Sequence, residues 1–197
     1  QDFYVSGNLT VYYSLNQRKS EDFRGPDFFV VLGTERRERR SWAVWQEGGK
    51  LPNVIVEILS SSTAAIDRGL KKQIYQDVLR VPNYFWFDPI TLELKGFNLI
   101  AGQYQEVQPT EQGWLWSQQL DLYLSVRENR LRFLTPEGQV VLTEAELGRE
   151  QASLAHQQAG RAEQRADRAE QRASDAEQKA ERLAEYLRRQ NIDPDGI

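Results

Sequence analysis

Residues 53–59, Asn-Val-Ile-Val-Glu-Ile-Leu, constrain the fold more than any other part of the chain. Positions 54, 56 and 58 are apolar, and so are 55 and 59 on the alternate face. A strand that is apolar on both faces belongs inside a sheet covered from both sides. Glu57 interrupts it. An ionised carboxylate there must be ion-paired, hydrogen-bonded or metal-bound, because desolvating it alone is costly. A second acid, Asp27, opens another hydrophobic run, Phe28-Phe29-Val30-Val31-Leu32. Two acids on neighbouring buried strands can hold a hard cation, Mg2+ or Mn2+, which prefers carboxylate and water.

The rest of residues 1–141 reads as a strand-rich mixed domain. Strands are predicted at 9–14, 28–33, 41–46, 53–59, 84–88, 93–99 and 104–108, with short edge pieces at 121–125, 131–134 and 139–142. One helix, 64–80, interrupts them, with Thr63 as its N-cap. Ile66, Leu70, Ile74, Tyr75, Val78 and Leu79 form its apolar arc. Asp67 and Lys71 fall inside that arc, so both are expected to point inward. The order strand, helix, strand from 53 to 88 predicts a parallel crossover pair.

From about Thr143 the pattern changes. Apolar positions run 152, 155, 159, 162, 166, 169, 173, 176, 180, 183 and 187, all Ala except Leu183 and Leu187. This is an uninterrupted heptad seam. With Ala152 as position a, Arg165, Arg172 and Lys179 fall at g, and Glu163, Glu170 and Glu177 at e. Only a parallel pair sets these opposite charges across the interface, so the spacing predicts a parallel homodimeric coiled coil. An alanine seam buries little area, so the pairing is expected to be modest. The domain reading is therefore 1–141 globular, 142–190 coiled-coil helix and 191–197 tail. His156, at an e position, reads as solvated surface.

Charge and composition exclude several classes. The chain has no cysteine, which removes disulfides, thiolate zinc sites and Cys nucleophiles and fits a reducing, cytoplasmic compartment. No stretch is long and apolar enough to span a membrane, and no signal peptide is visible at Gln1. With no Met at all, the natural N-terminus is expected to lie upstream or to be processed. Residues 1–141 carry 16 basic and 17 acidic side chains, so charge alone gives no support for tight DNA binding; Arg36, Arg37, Arg39 and Arg40 form a local exception.

Taken as residues alone, Asp27, Glu57 and Lys71 admit two readings. They can form a catalytic metal site, with Asp27 and Glu57 as ligands and Lys71 beside the scissile phosphate. They can equally be structural: a buried Glu57–Lys71 pair, a Lys71–Asp67 pair four residues apart, and a strand-opening turn after Pro26.

Four motifs bear on that choice. Pro26-Asp27, then Pro52-Asn53-Val54-Ile55-Val56-Glu57-Ile58-Leu59-Ser60, then Asp67-Arg68-Gly69 with Lys71 and Tyr75, then Val81-Pro82-Asn83-Tyr84-Phe85-Trp86-Phe87-Asp88-Pro89 occur in this order. The chain resembles the Uma-type family of putative restriction endonucleases, a branch of the PD-(D/E)XK nuclease superfamily, over roughly residues 8–140. Its ending from Leu187 to Pro194 resembles the tails of coiled-coil members. The resemblance implies an α/β, mixed-sheet restriction-endonuclease-like core, a divalent-metal site and DNA as substrate. By it the first acid is Asp27, the second Glu57 and the lysine Lys71. The superfamily pattern sets a lysine two residues beyond the second acid, where this chain has Leu59. Asn53 stands where relatives commonly carry Asp, and Asp67 and Asp88 are secondary candidates, Asp88 rather as a strand-end cap. These departures keep open an alternative: a catalytically inactive nuclease-fold protein serving as a coiled-coil assembly module.

Overall fold

The computed structural model describes residues 2–60 and 67–189. The chain divides into two compact units, Gln1–Val141 and Leu142–Ile197.

The first unit is a mixed α+β fold around a six-stranded sheet. Its strands are β1 (Phe3–Gly7), β4 (Phe28–Leu32), β6 (Val54–Ile58), β7 (Asn83–Phe87), β8 (Leu94–Ile100) and β9 (Gln103–Glu106), in that spatial order. β6 and β7 occupy the middle, as their two-sided apolar sequences require, and every residue of β7 is buried. They pair in parallel, with Glu57 beside Trp86, and the remaining neighbours are antiparallel. A three-stranded sheet of β2 (Val11–Tyr12), β3 (Phe23–Arg24) and β5 (Trp42–Ala43), and another of β10 (Leu115–Ser117), β11 (Leu122–Arg127) and β12 (Arg130–Leu134), complete the unit.

Each face of the central sheet has its own core. Phe29, Val31, Ile55 and Tyr84 pack with Val11, Trp42, Tyr75 and Leu79 on one face. Val30, Val54, Val56 and Phe85 pack with Leu115 and Leu124 on the other. The alternation along β4, β6 and β7 thus sorts the same strands into two layers. Large side chains such as Phe29, Trp42 and Tyr84 are fully buried, each contributing about 1.5–3 kcal/mol.

Several expected elements change. The strand expected at 41–46 keeps only Trp42–Ala43 before a 3-10 turn at Val44–Gln46, because Trp42 turns into the core and sends its indole N–H to the Lys50 carbonyl at 2.8 Å. The strand at 9–14 shrinks to Val11–Tyr12, and 139–142 contributes a bridge, Val140 to Leu134. β1, β3 and β10 were not expected.

The helix expected at 64–80 is described as a π turn, Asp67–Lys71, running into α1, Lys72–Asp77. Thr63 and Ile66 lie outside the described residues. Tyr75 and Leu79 are buried, whereas Leu70 and Val78 are each 55% exposed. The wider π turn displaces residues from the regular helical phase on which the arc was drawn.

The second unit is a single helix, α2, Glu144–Arg189, of 46 residues and about 69 Å at 1.5 Å per residue. Thr143 Oγ1 accepts the Glu146 N–H at 3.3 Å, and Glu146 Oε2 accepts the Thr143 N–H at 2.9 Å. This reciprocal capping box fixes the helix start. Glu185 pairs with Arg189 at 2.7 Å, and none of the helix is buried, His156 included. Residues 190–197 lie outside the described residues. Among the described residues no helix is long and apolar enough to cross a membrane.

Candidate active site

The strand pairing explains why two acids far apart in sequence meet. β4 and β6 are antiparallel with Phe28 opposite Val56. One step further along the same register sets Asp27 opposite Glu57. The two residues then tie the strand ends together. The Asp27 N–H points to Glu57 Oε2 at 3.4 Å, and Asp27 Oδ2 accepts the Ile58 N–H at 2.7 Å. Asp27 is half-buried while Glu57 is fully buried, so the pair spans the boundary between solvent and core.

The π turn and α1 supply the cover. Lys71 Nζ lies 3.1 Å from Glu57 Oε2 and 2.8 Å from Asp67 Oδ1. One turn later the Tyr75 hydroxyl donates to Glu57 Oε1 at 2.6 Å, and the Tyr84 hydroxyl donates to the Asp67 carbonyl at 2.9 Å. Asp67 and Lys71 both point inward. The structure therefore brings together Asp27, Glu57, Asp67 and Lys71, and adds Tyr75 and Tyr84.

Tyr75 stands four residues beyond Lys71, on the same helical face, so its approach to Glu57 was legible in that spacing. Tyr84 carried no comparable signal. Its partner is a backbone carbonyl.

Asp88 and Asn53 lie apart from this cluster. Asp88 Oδ1 accepts the N–H groups of Ile90 and Thr91 at 2.9 and 3.2 Å, closing the turn after β7, and those backbone donors hold its carboxyl below the ordinary range. Asn53 accepts the Leu32 N–H at 2.9 Å from the opposite end of β6. An acid at position 53 would therefore add nothing to the Asp27–Glu57 pair. Leu59 is buried and apolar, so no cation follows Glu57 along β6.

The electrostatics are uneven. Burial pushes the Glu57 carboxyl up to about 7, against the pull of the Tyr75 hydrogen bond and the Lys71 charge, with Asp27 adding to the rise. Burial works against the Lys71 ammonium too, but hydrogen bonds and charge from Asp67 and Glu57 outweigh it and hold its pKa above the usual lysine value. Lys71 is therefore a fixed ammonium, and a hydrogen-bond donor, at neutral pH. Burial, with the Glu57 charge second, drives the Tyr75 hydroxyl well above the ordinary tyrosine range, so it also stays protonated.

Among the described residues no three carboxylates converge as a metal cage, so the donor set is a carboxylate pair. That fits Mg2+ or Mn2+, which commonly rest on one or two protein carboxylates with waters and substrate oxygens completing the shell. Two observations favour the fit. Burial disfavours the charged form of Glu57 even with Lys71 beside it, a cost that a further cation at the carboxylate would offset. Asp67 is 1% exposed, and among the described residues its carboxylate meets the Lys71 ammonium at 2.8 Å with no further hydrogen-bond partner.

An acid pair at the ends of the adjacent strands β4 and β6, with Lys71 above it, is the candidate site of this mixed α+β fold. The chain belongs to the Uma2 family, described as putative restriction endonucleases, which matches residues 1–154. Residues 137–187 match the alanine-zipper family of the major outer membrane lipoprotein, in keeping with the alanine seam. A similar solved structure is a putative nuclease belonging to DUF820 from Anabaena variabilis ATCC 29413, at TM-score 0.45 and 12% identity over 64% of this chain and 67% of that one. No curated protein matches the chain significantly.

Proposed function

We propose that the protein is a divalent-metal-dependent DNA endonuclease that hydrolyses phosphodiester bonds at Asp27, Glu57 and Lys71, with Mg2+ or Mn2+ as cofactor, acting in the cytoplasm as a homodimer. The support is one juxtaposition: β4 and β6 set Asp27 against Glu57 across 30 residues of chain, and Lys71 Nζ stands 3.1 Å from Glu57. Asp27 and Glu57 would hold the ion. When bound, the ion supplies Lewis-acid activation of water and neutralises charge on the phosphodiester. Lys71, kept protonated by Asp67, donates to a phosphate oxygen or to the attacking water and does not act as a base. Tyr75 fixes the Glu57 carboxylate so that one oxygen faces Asp27 and Lys71. The tail supports self-association: a helix of 46 residues that carries an unbroken alanine seam and no buried side chain is suited to be one strand of a coiled coil, and the g and e charges select a parallel partner.

A second reading has its own observation. Lys71 and Tyr75 already satisfy Glu57 without an ion, and Leu59 replaces the superfamily lysine, as in an inactive nuclease-fold assembly module. Titration calorimetry with Mg2+ and Mn2+, on the parent and Glu57→Ala, separates the two. Binding by the parent that is lost in Glu57→Ala, together with supercoiled-plasmid nicking lost in Asp27→Ala and Lys71→Ala, supports the nuclease. A parent that binds neither ion leaves the assembly module.

A further inference from the structure

The loop that follows β4 carries a cationic cluster that the acid pair does not use. Arg39 is its spine. Its guanidinium, 2% exposed, makes a two-pronged contact with Glu47 at 2.8 and 3.0 Å and donates to the Glu35 and Arg37 carbonyls at 3.1 and 3.3 Å. It also lies over the rings of Tyr4 and Trp42, 4.6 and 4.8 Å from their centroids. A buried arginine held on every side shapes the loop and leaves its neighbours to be displayed.

Those neighbours line two adjoining depressions. One of about 740 Å³ is bounded by Arg36, Arg37, Arg39 and Arg40 with Tyr4, and the next, of about 270 Å³, shares Arg37, Arg39 and Arg40 and adds Lys19. Lys19 is held there by Ser41 Oγ at 2.9 Å. Five cations thus stand among three acids, Glu35, Glu38 and Glu47, with Arg37 paired to Glu35 at 2.7 Å and to Glu47 at 3.0 Å, on a unit whose total charge is close to neutral. Placement matters as much as sign. Tyr4 pairs with Val31, which lies on the same face of β4 as Asp27. Four residues separate Asp27 from Val31, about 13 Å along the strand.

We propose that this arginine loop is a second nucleic-acid contact surface, which grips the phosphodiester backbone at the end of β4 remote from the acid pair. Two adjoining cationic depressions suit a chain of phosphates better than a single anion, and fixed guanidinium groups suit phosphate oxygens. The inference rests on the proposed DNA substrate.

The test is fluorescence anisotropy of the full chain with a labelled mixed-sequence duplex, in EDTA, across a salt series. Arg40→Ala, Arg40→Glu and Lys19→Ala are compared with the parent, and tryptophan-fluorescence melting verifies their folding. Each lost phosphate contact flattens the slope of log affinity against log salt by about one and weakens binding about eightfold near 0.1 M salt. The expected result is that flattening in both alanine variants, a larger loss in Arg40→Glu, and no comparable competition from inorganic phosphate at matched ionic strength. Parent-like slopes in all three variants overturn the loop assignment and leave the nuclease reading standing. Full displacement of the duplex by millimolar phosphate makes it a small-anion site and overturns the proposal. A parent that binds no duplex at low salt overturns both.

Discussion

Replacing Glu57 by Gln should stabilise the metal-free protein, and only above a certain pH. The Glu57 carboxyl titrates near 7 in the folded chain against an ordinary 4.5. Between those values the folded state holds a proton that the unfolded state has released. The stability this confers is fully present below pH 4.5 and is lost as pH rises through 7. At about 1.36 kcal/mol per pH unit of displacement the loss comes to roughly 3 kcal/mol, an upper figure because Lys71 and Tyr75 share the site. Gln is neutral throughout, keeps a carbonyl oxygen for the Tyr75 hydroxyl, and escapes the loss. The variant should melt with the parent near pH 4.5 and above it by pH 8, by about 6–12 °C at the usual 2–4 °C per kcal/mol. All 5 tryptophans lie in the first unit, so their fluorescence reports its unfolding without interference from the tail. A melting difference that stays constant from pH 4.5 to 8, or a variant less stable at every pH, would refute a carboxylate held out of its charged form by burial.

Other outcomes follow from the same geometry. Because metal needs the ionised carboxylate, Mg2+ affinity measured by calorimetry should weaken about tenfold per pH unit below 7, and affinity independent of pH would remove Glu57 as a ligand. Tyr75→Phe strips a buried carboxylate of its donor and should cost about 1–3 kcal/mol in chemical denaturation at pH 8. Gly96→Ala would place a Cβ 2.5 Å from the Phe85 ring, and should lower stability by about 1–3 kcal/mol of overpacking in the same assay. Deleting residues 150–197 should leave a monomer by light scattering; a surviving dimer would move the interface into the globular unit.

The parts of this fold that were legible in sequence are those where one residue pattern has one physical solution. A strand apolar on both faces has to be central, and β6 is. A carboxylate inside it has to be answered, and Lys71 and Tyr75 answer it. The heptad seam announced the helix in the same way. What stayed hidden depended on partners far along the chain. β1 offers Phe-Tyr-Val-Ser-Gly, which becomes a strand because β4 presents a free edge to it. Trp42 and Trp45 alternate like strand residues, yet Trp42 is claimed by the core and the backbone coils after it. The change of pattern at about Thr143 marked the start of α2, and the structure adds the reason, a capping box between Thr143 and Glu146. Asp27 and Glu57 were expected on neighbouring buried strands, but that they stand directly opposite each other was not readable, because strand register, unlike strand existence, is not written within either strand.

The π turn at Asp67–Lys71 has a consequence for how this site tolerates change. A loop of that width holds one residue more than a regular helical coil needs, so length, as well as side-chain identity, aims the ammonium at its acid. Removing Gly69, which among the described residues has nothing within 4 Å of where a Cβ would stand, alters no charge, yet it would rotate Asp67 away from Lys71. Point substitution preserves that alignment; a single-codon deletion does not.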